Sequence, residues 1–191
     1  TASLVALLGA MGLAVGLSLR SSLSNLASGI LLIIFQPMKV GDYIQISDTA
    51  GFVEEINILF TQLLSPGNQV LIVPNSKFMS DVITNFSRKN YRRNDLVVGV
   101  GYSDSLDKVK IVLRELVVAD KRILHAPAEP LIVVTDLADS CVNLMVRYWT
   151  TRGDYLMVRS ELTEAVKLRF DEEGFNIPYP QLDVHVNQVV G

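Results

Sequence analysis

Apolar residues are concentrated in the first part of the chain, and the remainder has a mixed apolar and polar pattern. Residues 1–19 contain no charged side chain. As an α-helix they would rise about 28 Å, close to the ~30 Å thickness of the hydrocarbon core of a bilayer. A secretory signal peptide fits poorly, because it would need a basic n-region and a shorter apolar core. The pattern therefore predicts a membrane-spanning helix.

Small residues recur along this helix and argue against the alternative of a buried helix in a soluble protein. They are Ala2, Ala6, Gly9, Ala10, Gly12, Ala14, Gly16 and Ser18. A glycine costs about 1 kcal/mol inside a helix, and close approach of neighbouring membrane helices is the usual reason for accepting that cost. With successive residues about 100° apart around the axis, the three glycines share one face, while Ala10 and Ala14 share another. Two separate small faces predict packing against two neighbouring helices.

The stripe between the two small faces predicts a pore wall. It contains Leu13 and Leu17, one helical turn apart, and Arg20 falls near the same direction at the end of the span. In a ring of identical subunits, the glycine face of one helix would meet the alanine face of the next, and the stripe would point at the ring axis. We therefore predict a homo-oligomer with a gate at Leu13 and Leu17 and a pore mouth at Arg20. The alternative is that both leucines are ordinary packing residues.

The apolar run stops abruptly at Arg20-Ser21-Ser22, and helical periodicity then resumes. We predict a kink at Ser21 and a second helix that ends near Phe35 or Gln36, because Pro37 disfavours helical geometry in the residue before it. A moderately polar helix after a membrane span suits the plane of the membrane surface. Basic residues follow the span and none precedes it in the sequence, so the positive-inside rule predicts that the C-terminal bulk is cytoplasmic.

Residues 38–88 have the pattern of a small all-β domain. A Ser-Pro-Gly-Asn turn at 65–68 separates two apolar segments, which is a strong hairpin signal. The predicted strands are 42–46, 51–56, 60–64, 69–73 and 82–86. Five short strands in such a short segment are typical of an SH3-like or Sm-like barrel.

Residues 89–181 have the pattern of an α/β domain. Strands are predicted at 96–102, 131–137 and 142–150, helices at 105–118 and 154–173, and a last strand at 182–186. The order β-α-β-β-α-β is the ferredoxin-like plan, and Gly174 is placed to cap the second helix. We divide the chain into a helical segment (1–37), the β domain (38–88), the α/β domain (89–181) and a C-terminal strand (182–191).

Composition narrows the classes of function. The net charge of −3 disfavours a general nucleic-acid binder, although the basic segment 88–93 and the two domain types keep RNA binding open as an alternative. An enzyme is the other alternative, but no carboxylate pairs convincingly with a histidine or a nucleophile. The histidines, His125 and His185, are far apart and show no metal-ligand spacing. We predict no metal or other cofactor and no enzymatic activity.

Three stretches of the chain together resemble the small-conductance mechanosensitive channel family. They are GAMGLAVGLSLRSSLSNLASGILLIIFQP at 9–37, VPNSKFMSDVITNFSR at 73–88 and GFNIPYPQLDV at 174–184. The resemblance implies a homoheptamer in the bacterial inner membrane that opens under membrane tension. It would pass ions and small osmolytes, protect cells from hypo-osmotic shock and contact membrane lipids. It also implies a hollow cytoplasmic vestibule and two further transmembrane helices before Thr1.

The resemblance also implies roles for individual residues. The two leucines of the family's constriction correspond to Leu13 and Leu17, and its conserved interface-helix asparagine corresponds to Asn25. Its packing ladders correspond to Gly9, Gly12 and Gly16 against Ala6, Ala10 and Ala14. The strand around 182–186 would join a parallel barrel on the symmetry axis. Three positions depart from the family pattern: Arg20 stands where glutamine is common, and Ser21 and Ser76 stand where glycines are common.

Overall fold

The computed structural model describes residues 2–184, with side chains described from Leu4 onward. Within them the chain forms two compact units, and the boundary along the chain lies between Lys89 and Asn90. The first unit contains one long helix and an antiparallel sheet, and the second contains an antiparallel sheet with two helices. The fold class predicted from the sequence, a long apolar helix followed by a β domain and an α+β domain, is confirmed.

Helix α1 spans Ala2–Phe35 and is long and apolar enough to cross a membrane between Leu4 and Phe35. It ends where Pro37 predicts. Gln36 adopts a left-handed conformation, with φ of 44°, and its N–H donates to the carbonyl oxygen of Leu32 at 2.9 Å. The sequence pattern predicts two helical segments, whereas the structure joins them in one helix without interruption at Ser21. The kink at Ser21 stays a prediction.

The β domain contains all five predicted strands and one short helix that the pattern does not predict. Its elements are β1 (Tyr43–Ile46), β2 (Thr49–Ile56), β3 (Phe60–Leu64), β4 (Val70–Pro74), α2 (Asn75–Ser80) and β5 (Ile83–Asn85). All strand pairs are antiparallel, in the order β4-β3-β2-β1-β5. The apolar side chains of the sheet form a buried core that Leu32 of α1 completes. The last turns of α1 are therefore part of this domain.

The second unit has the predicted elements in the predicted order over the described residues, with one additional two-residue strand, Ile123–Leu124, between the first helix and the second predicted strand. Its elements are β6 (Tyr91–Val100), α3 (Leu106–Ala119), β7 (Ile123–Leu124), β8 (Leu131–Leu137), β9 (Val142–Thr151) and α4 (Tyr155–Glu173). Strand β9 pairs with β6 along one edge and with β8 and β7 along the other, always antiparallel. This places β9 between two strands joined by a helix, as the split βαβ plan requires.

The end of the second unit is only partly described. Gly174 has φ of 74° and donates its N–H to the carbonyl oxygen of Phe170, so the predicted glycine cap of α4 is present. Residues 182–184 of the predicted last strand form no strand in the structure. Residues 185–191, the rest of the predicted C-terminal segment, lie outside the described residues. The strand of an axial barrel therefore stays a prediction.

Candidate pore helix and its junction with the β domain

The first two thirds of α1 are not buried by any part of the chain that the structure describes. Every described side chain from Leu4 to Ser24 is exposed. Leu13 is 65% exposed and Leu17 is 62% exposed, and Val15 on another side of the helix is 60% exposed. Such a long, uniformly apolar surface requires lipid or other protein subunits around it.

The glycines of this segment are not explained by contacts with the described residues. A Cβ atom added to Gly9, Gly12 or Gly16 would meet none of their atoms within 4 Å. Open space of this kind is expected where another helix approaches, which would compensate for the conformational cost of three glycines. Ala6, Ala10 and Ala14 are exposed on the same segment.

Polar groups on this segment are few. The hydroxyl of Ser18 donates to the carbonyl oxygen of Ala14 at 2.8 Å, which satisfies it within the helix. Leu13 and Leu17 lie four residues apart in one unbroken helix, so they share a face, and Arg20 follows within the next turn. The structure thus brings the predicted gate and pore-mouth residues onto one exposed stripe.

The last third of α1 packs on the β domain with one narrow stripe. Asn25 is half-buried, and Ser28, Gly29 and Leu32 are buried, which is the i, i+3, i+4, i+7 spacing of one helix face. The large apolar residues on the other sides remain exposed: Leu23, Ile30, Leu31, Ile33, Ile34 and Phe35. The face of small and polar residues therefore contacts protein, and the apolar sides remain free to contact lipid.

Asn25 contacts the start of α2, 51 residues away along the chain. Its side-chain oxygen accepts the backbone N–H of Ser76 at 2.9 Å. The first N–H groups of a helix have no partner within the helix, and α2 has no side-chain cap of its own. Asn25 supplies a cap from a distant element and ties α1 to α2. The family resemblance singles out Asn25 but does not identify this partner.

Gly29 lies against a buried network of polar groups that the sequence analysis did not single out. A Cβ at this position would lie 2.2 Å from the carbonyl oxygen of Ile58 and 2.5 Å from Nδ2 of Asn75. Asn75 is fully buried; its Nδ2 donates to the carbonyl oxygen of Asn57 at 2.8 Å, and its Oδ1 accepts the hydroxyl of Thr61 at 2.9 Å. A glycine inside a helix, combined with the asparagine of the VPNS stretch, is the only sequence signal for this contact.

A hydrogen-bonded carboxylate, that of Asp81, directly follows α2. Ser47 donates to Asp81 at 2.6 Å and Ser80 donates to its other oxygen at 3.0 Å, and these hydrogen bonds hold the pKa of the Asp81 carboxyl below its usual value. In the described part of the chain, no group of three or more His, Cys, Asp or Glu side chains is arranged to hold a metal ion. The features of the site are thus a membrane-length helix, open small faces and a tight junction.

An exposed apolar helix of membrane length, joined to a β domain and an α+β domain, indicates a subunit of a membrane protein. Comparison with known proteins agrees. Residues 21–88 match the family model described as mechanosensitive ion channel, beta-domain, and residues 94–177 match the model described as mechanosensitive ion channel MscS, C-terminal. The chain therefore belongs to the MscS family of mechanosensitive ion channels.

Individual relatives cover nearly the whole chain. It is 43% identical over 188 residues to an uncharacterized MscS family protein of Synechocystis, covering 98% of this chain and 63% of that protein. It is 43% identical over 181 residues to the small-conductance mechanosensitive channel of Edwardsiella ictaluri, covering 95% of this chain and 63% of that channel. The crystal structure of Helicobacter pylori MscS in a closed state superposes with a TM-score of 0.92 at 33% identity, covering 98% of this chain and 74% of that one.

Proposed function

We propose that this chain is the pore-lining helix and the two C-terminal domains of a channel subunit that opens under membrane tension. The assembled channel passes ions and small osmolytes and protects cells from hypo-osmotic shock. The chain spans 63% of the length of the Synechocystis and Edwardsiella relatives. The proposal therefore concerns the whole protein, in the bacterial inner membrane, with the two domains in the cytoplasm.

The observation that carries the proposal is the open glycine face of α1. Three glycines in one helix leave space that no described residue of the chain fills, while the side chains around them are apolar and exposed. A neighbouring helix of the same kind fills that space if its small alanines face it, and the repetition of that contact closes a ring. We infer a homo-oligomer built on this contact, and the family resemblance favours a heptamer.

The gate is assigned to two stacked collars formed by Leu13 and Leu17 of each subunit. A narrow apolar constriction does not need to be sealed by atoms. Water inside it lacks hydrogen-bond partners, so the segment empties, and an ion cannot cross without losing its hydration shell. Tension that tilts or separates the helices widens the collars until water fills them.

We assign three further roles to residues of the same helix on the side of the gate expected to face the cytoplasm. Arg20 places one positive charge per subunit at the mouth of the pore, and rings of arginine favour anions. The kink is assigned to Ser21. Asn25 couples the helix to the β domain, which its hydrogen bond to the backbone of Ser76 supports.

The test is the suction-activated current of the full-length protein in membrane patches. Leu13→Ser or Leu17→Ser supplies hydroxyls that hold water in the constriction, so these channels are expected to leak at rest or to open at lower tension. Val15→Ser is the matched control, because Val15 is equally exposed but lies on another side of the helix. A bulkier apolar residue at position 13 is expected not to leak. Serine variants that stay shut at rest with the wild-type threshold would move the gate elsewhere.

A further inference from the structure

The C-terminal end of α1 is held by side chains that come from the other end of the β domain. The guanidinium of Arg88 donates through Nη1 to the carbonyl oxygen of Gln36 at 3.2 Å and to that of Pro37 at 3.1 Å. These carbonyls lie just past the last turn of the helix, where backbone oxygens have no partner within it. A positive charge at this end also interacts favourably with the helix dipole.

Asn85 organises this contact with all of its hydrogen-bonding capacity. Its Nδ2 donates to the carbonyl oxygen of Pro37 at 3.3 Å and to Oδ2 of Asp42 at 2.8 Å. Its Oδ1 accepts the backbone N–H groups of Ser87 at 2.9 Å and of Arg88 at 3.0 Å. Asn85 therefore both holds the chain after α1 and fixes the backbone of Arg88. The same oxygen of Asp42 accepts a backbone N–H from the segment after α1, that of Lys39 at 2.9 Å.

This contact is separate from the one made by Asn25 and Gly29. Along the helix, Gln36 lies about 16 Å from Asn25 and about 10 Å from Gly29. Asn25 and Gly29 contact the loop before β3 and the start of α2, which follows β4, whereas Asn85 is the last residue of β5. In the sheet, β4 and β5 are the two edge strands. The helix from residue 25 to residue 36 is thus fastened to two different parts of the β domain.

We propose that Asn85 and Arg88 form a latch that fixes the C-terminal end of α1 to the β domain and sets how firmly that domain is coupled to the gate. The proposal rests on the proposed function of α1 as the gating helix. With both fastenings in place, residues 25–36 move as one body with the β domain. With the latch lost, Asn25, Gly29 and the buried Leu32 still hold the helix, but the turn after Leu32 can move away from the domain, so less of any movement is transmitted between the β domain and the pore.

The first test measures the latch itself, by hydrogen–deuterium exchange of the full-length protein in lipid. Arg88→Gln removes two hydrogen bonds from a charged donor, and we expect the amides of residues 33–39 to exchange about fivefold faster or more. Lys89→Gln is the matched control, because it removes the same charge from the adjacent exposed residue. Arg88→Lys keeps the charge but not the planar fork and is expected to restore part of the protection. Unchanged exchange in both Arg88→Gln and Asn85→Ala would overturn the latch.

The second test measures coupling, as the midpoint tension of the current in the same variants. Asn25→Ala and Arg88→Gln loosen the same helix, so both are expected to shift the midpoint in the same direction, with Lys89→Gln at the wild-type value. Faster exchange in Arg88→Gln without a shift in the midpoint would refute the coupling role. A wild-type protein without suction-activated current would refute the proposed function and the gating role with it, while the exchange measurement would still decide whether the latch exists.

Discussion

Replacing Gly29 with alanine tests the close contact between α1 and the β domain at this position. The added Cβ would lie 2.2 Å from the carbonyl oxygen of Ile58 and 2.5 Å from Nδ2 of Asn75, and real Cβ atoms essentially never come closer than 3.0 Å to such atoms. The helix would have to withdraw by about 0.8 Å, the difference between these limits, or the loop would have to yield by the same amount. Neither movement is easy, because one neighbour is backbone and the other is a buried amide.

Two opposing effects decide the size of the change. Alanine is the better helix former by about 1 kcal/mol. Overfilling a packed contact costs about 1–3 kcal/mol, and turning the Asn75 amide away would break its hydrogen bond to Asn57 and leave buried polar groups unpaired, at about 1–3 kcal/mol. The loss outweighs the gain, and we expect the junction to be weakened by about 2 kcal/mol, which corresponds to about thirtyfold in its opening equilibrium.

The assay is hydrogen–deuterium exchange of residues 73–80, which include the Ser76 N–H bonded to Asn25 and the Asn75 N–H bonded to the carbonyl oxygen of Leu59 at 3.1 Å. Gly67→Ala is the control, because the same methyl added there would meet its nearest atom only at 3.7 Å. Wild-type exchange in Gly29→Ala, or a higher melting temperature than wild type, would show that helix propensity dominates and that the close contact does not restrain the helix.

Three further predictions concern other parts of the chain. Gly12→Leu and Ala14→Leu should wedge neighbouring helices apart, at about 1–3 kcal/mol for each contact of the ring, and normal particle mass together with normal gating in both variants would count against the packing model. Arg20→Gln should lower any preference for chloride, which an unchanged reversal potential in asymmetric salt would contradict. Burial raises the pKa of Tyr148 to about 12, and its hydroxyl has no hydrogen-bond partner among the described residues. The folded state then binds the phenol proton more tightly than the unfolded state does. The free energy of unfolding should therefore fall as the pH rises from about 10 to 12. Tyr148→Phe should remove this contribution without lowering the free energy of unfolding at neutral pH.

Elements with strong local signals were predictable from the sequence. Pro37 fixes the end of α1 at Phe35, and Gly174 fixes the end of α4, because both act through the backbone of their own turn. The buried residues of α4 follow a spacing of four, from Val158 to Phe170. Leu168 is 57% exposed, because it lies two residues from each of its neighbours in that stripe.

Contacts between distant segments were not predictable in the same way. The six residues of α2 are too short to show a helical period, and the partner of Asn25 is a backbone N–H, which any residue at position 76 would provide. The contact at Gly29 depends on the path of the chain at Ile58, for which the sequence has no local signature. The roles of Leu13 and Leu17 stay predictions for a related reason: a pore axis is a property of the assembled ring, and the residue pattern of one helix only indicates where it would be.

The distribution of attachments along α1 favours bending near Ser21. Residues 25–36 are fastened to the β domain at both ends, and residues 9–16 carry the small faces expected to pack against neighbouring subunits. The turns between them, including Arg20, Ser21 and Ser22, have exposed side chains. The energy of bending is expected to be lowest there, where neither the β domain nor the proposed ring restrains the helix. A change in the bilayer that acts on the apolar sides of the fastened segment would therefore reach the proposed gate through this short stretch.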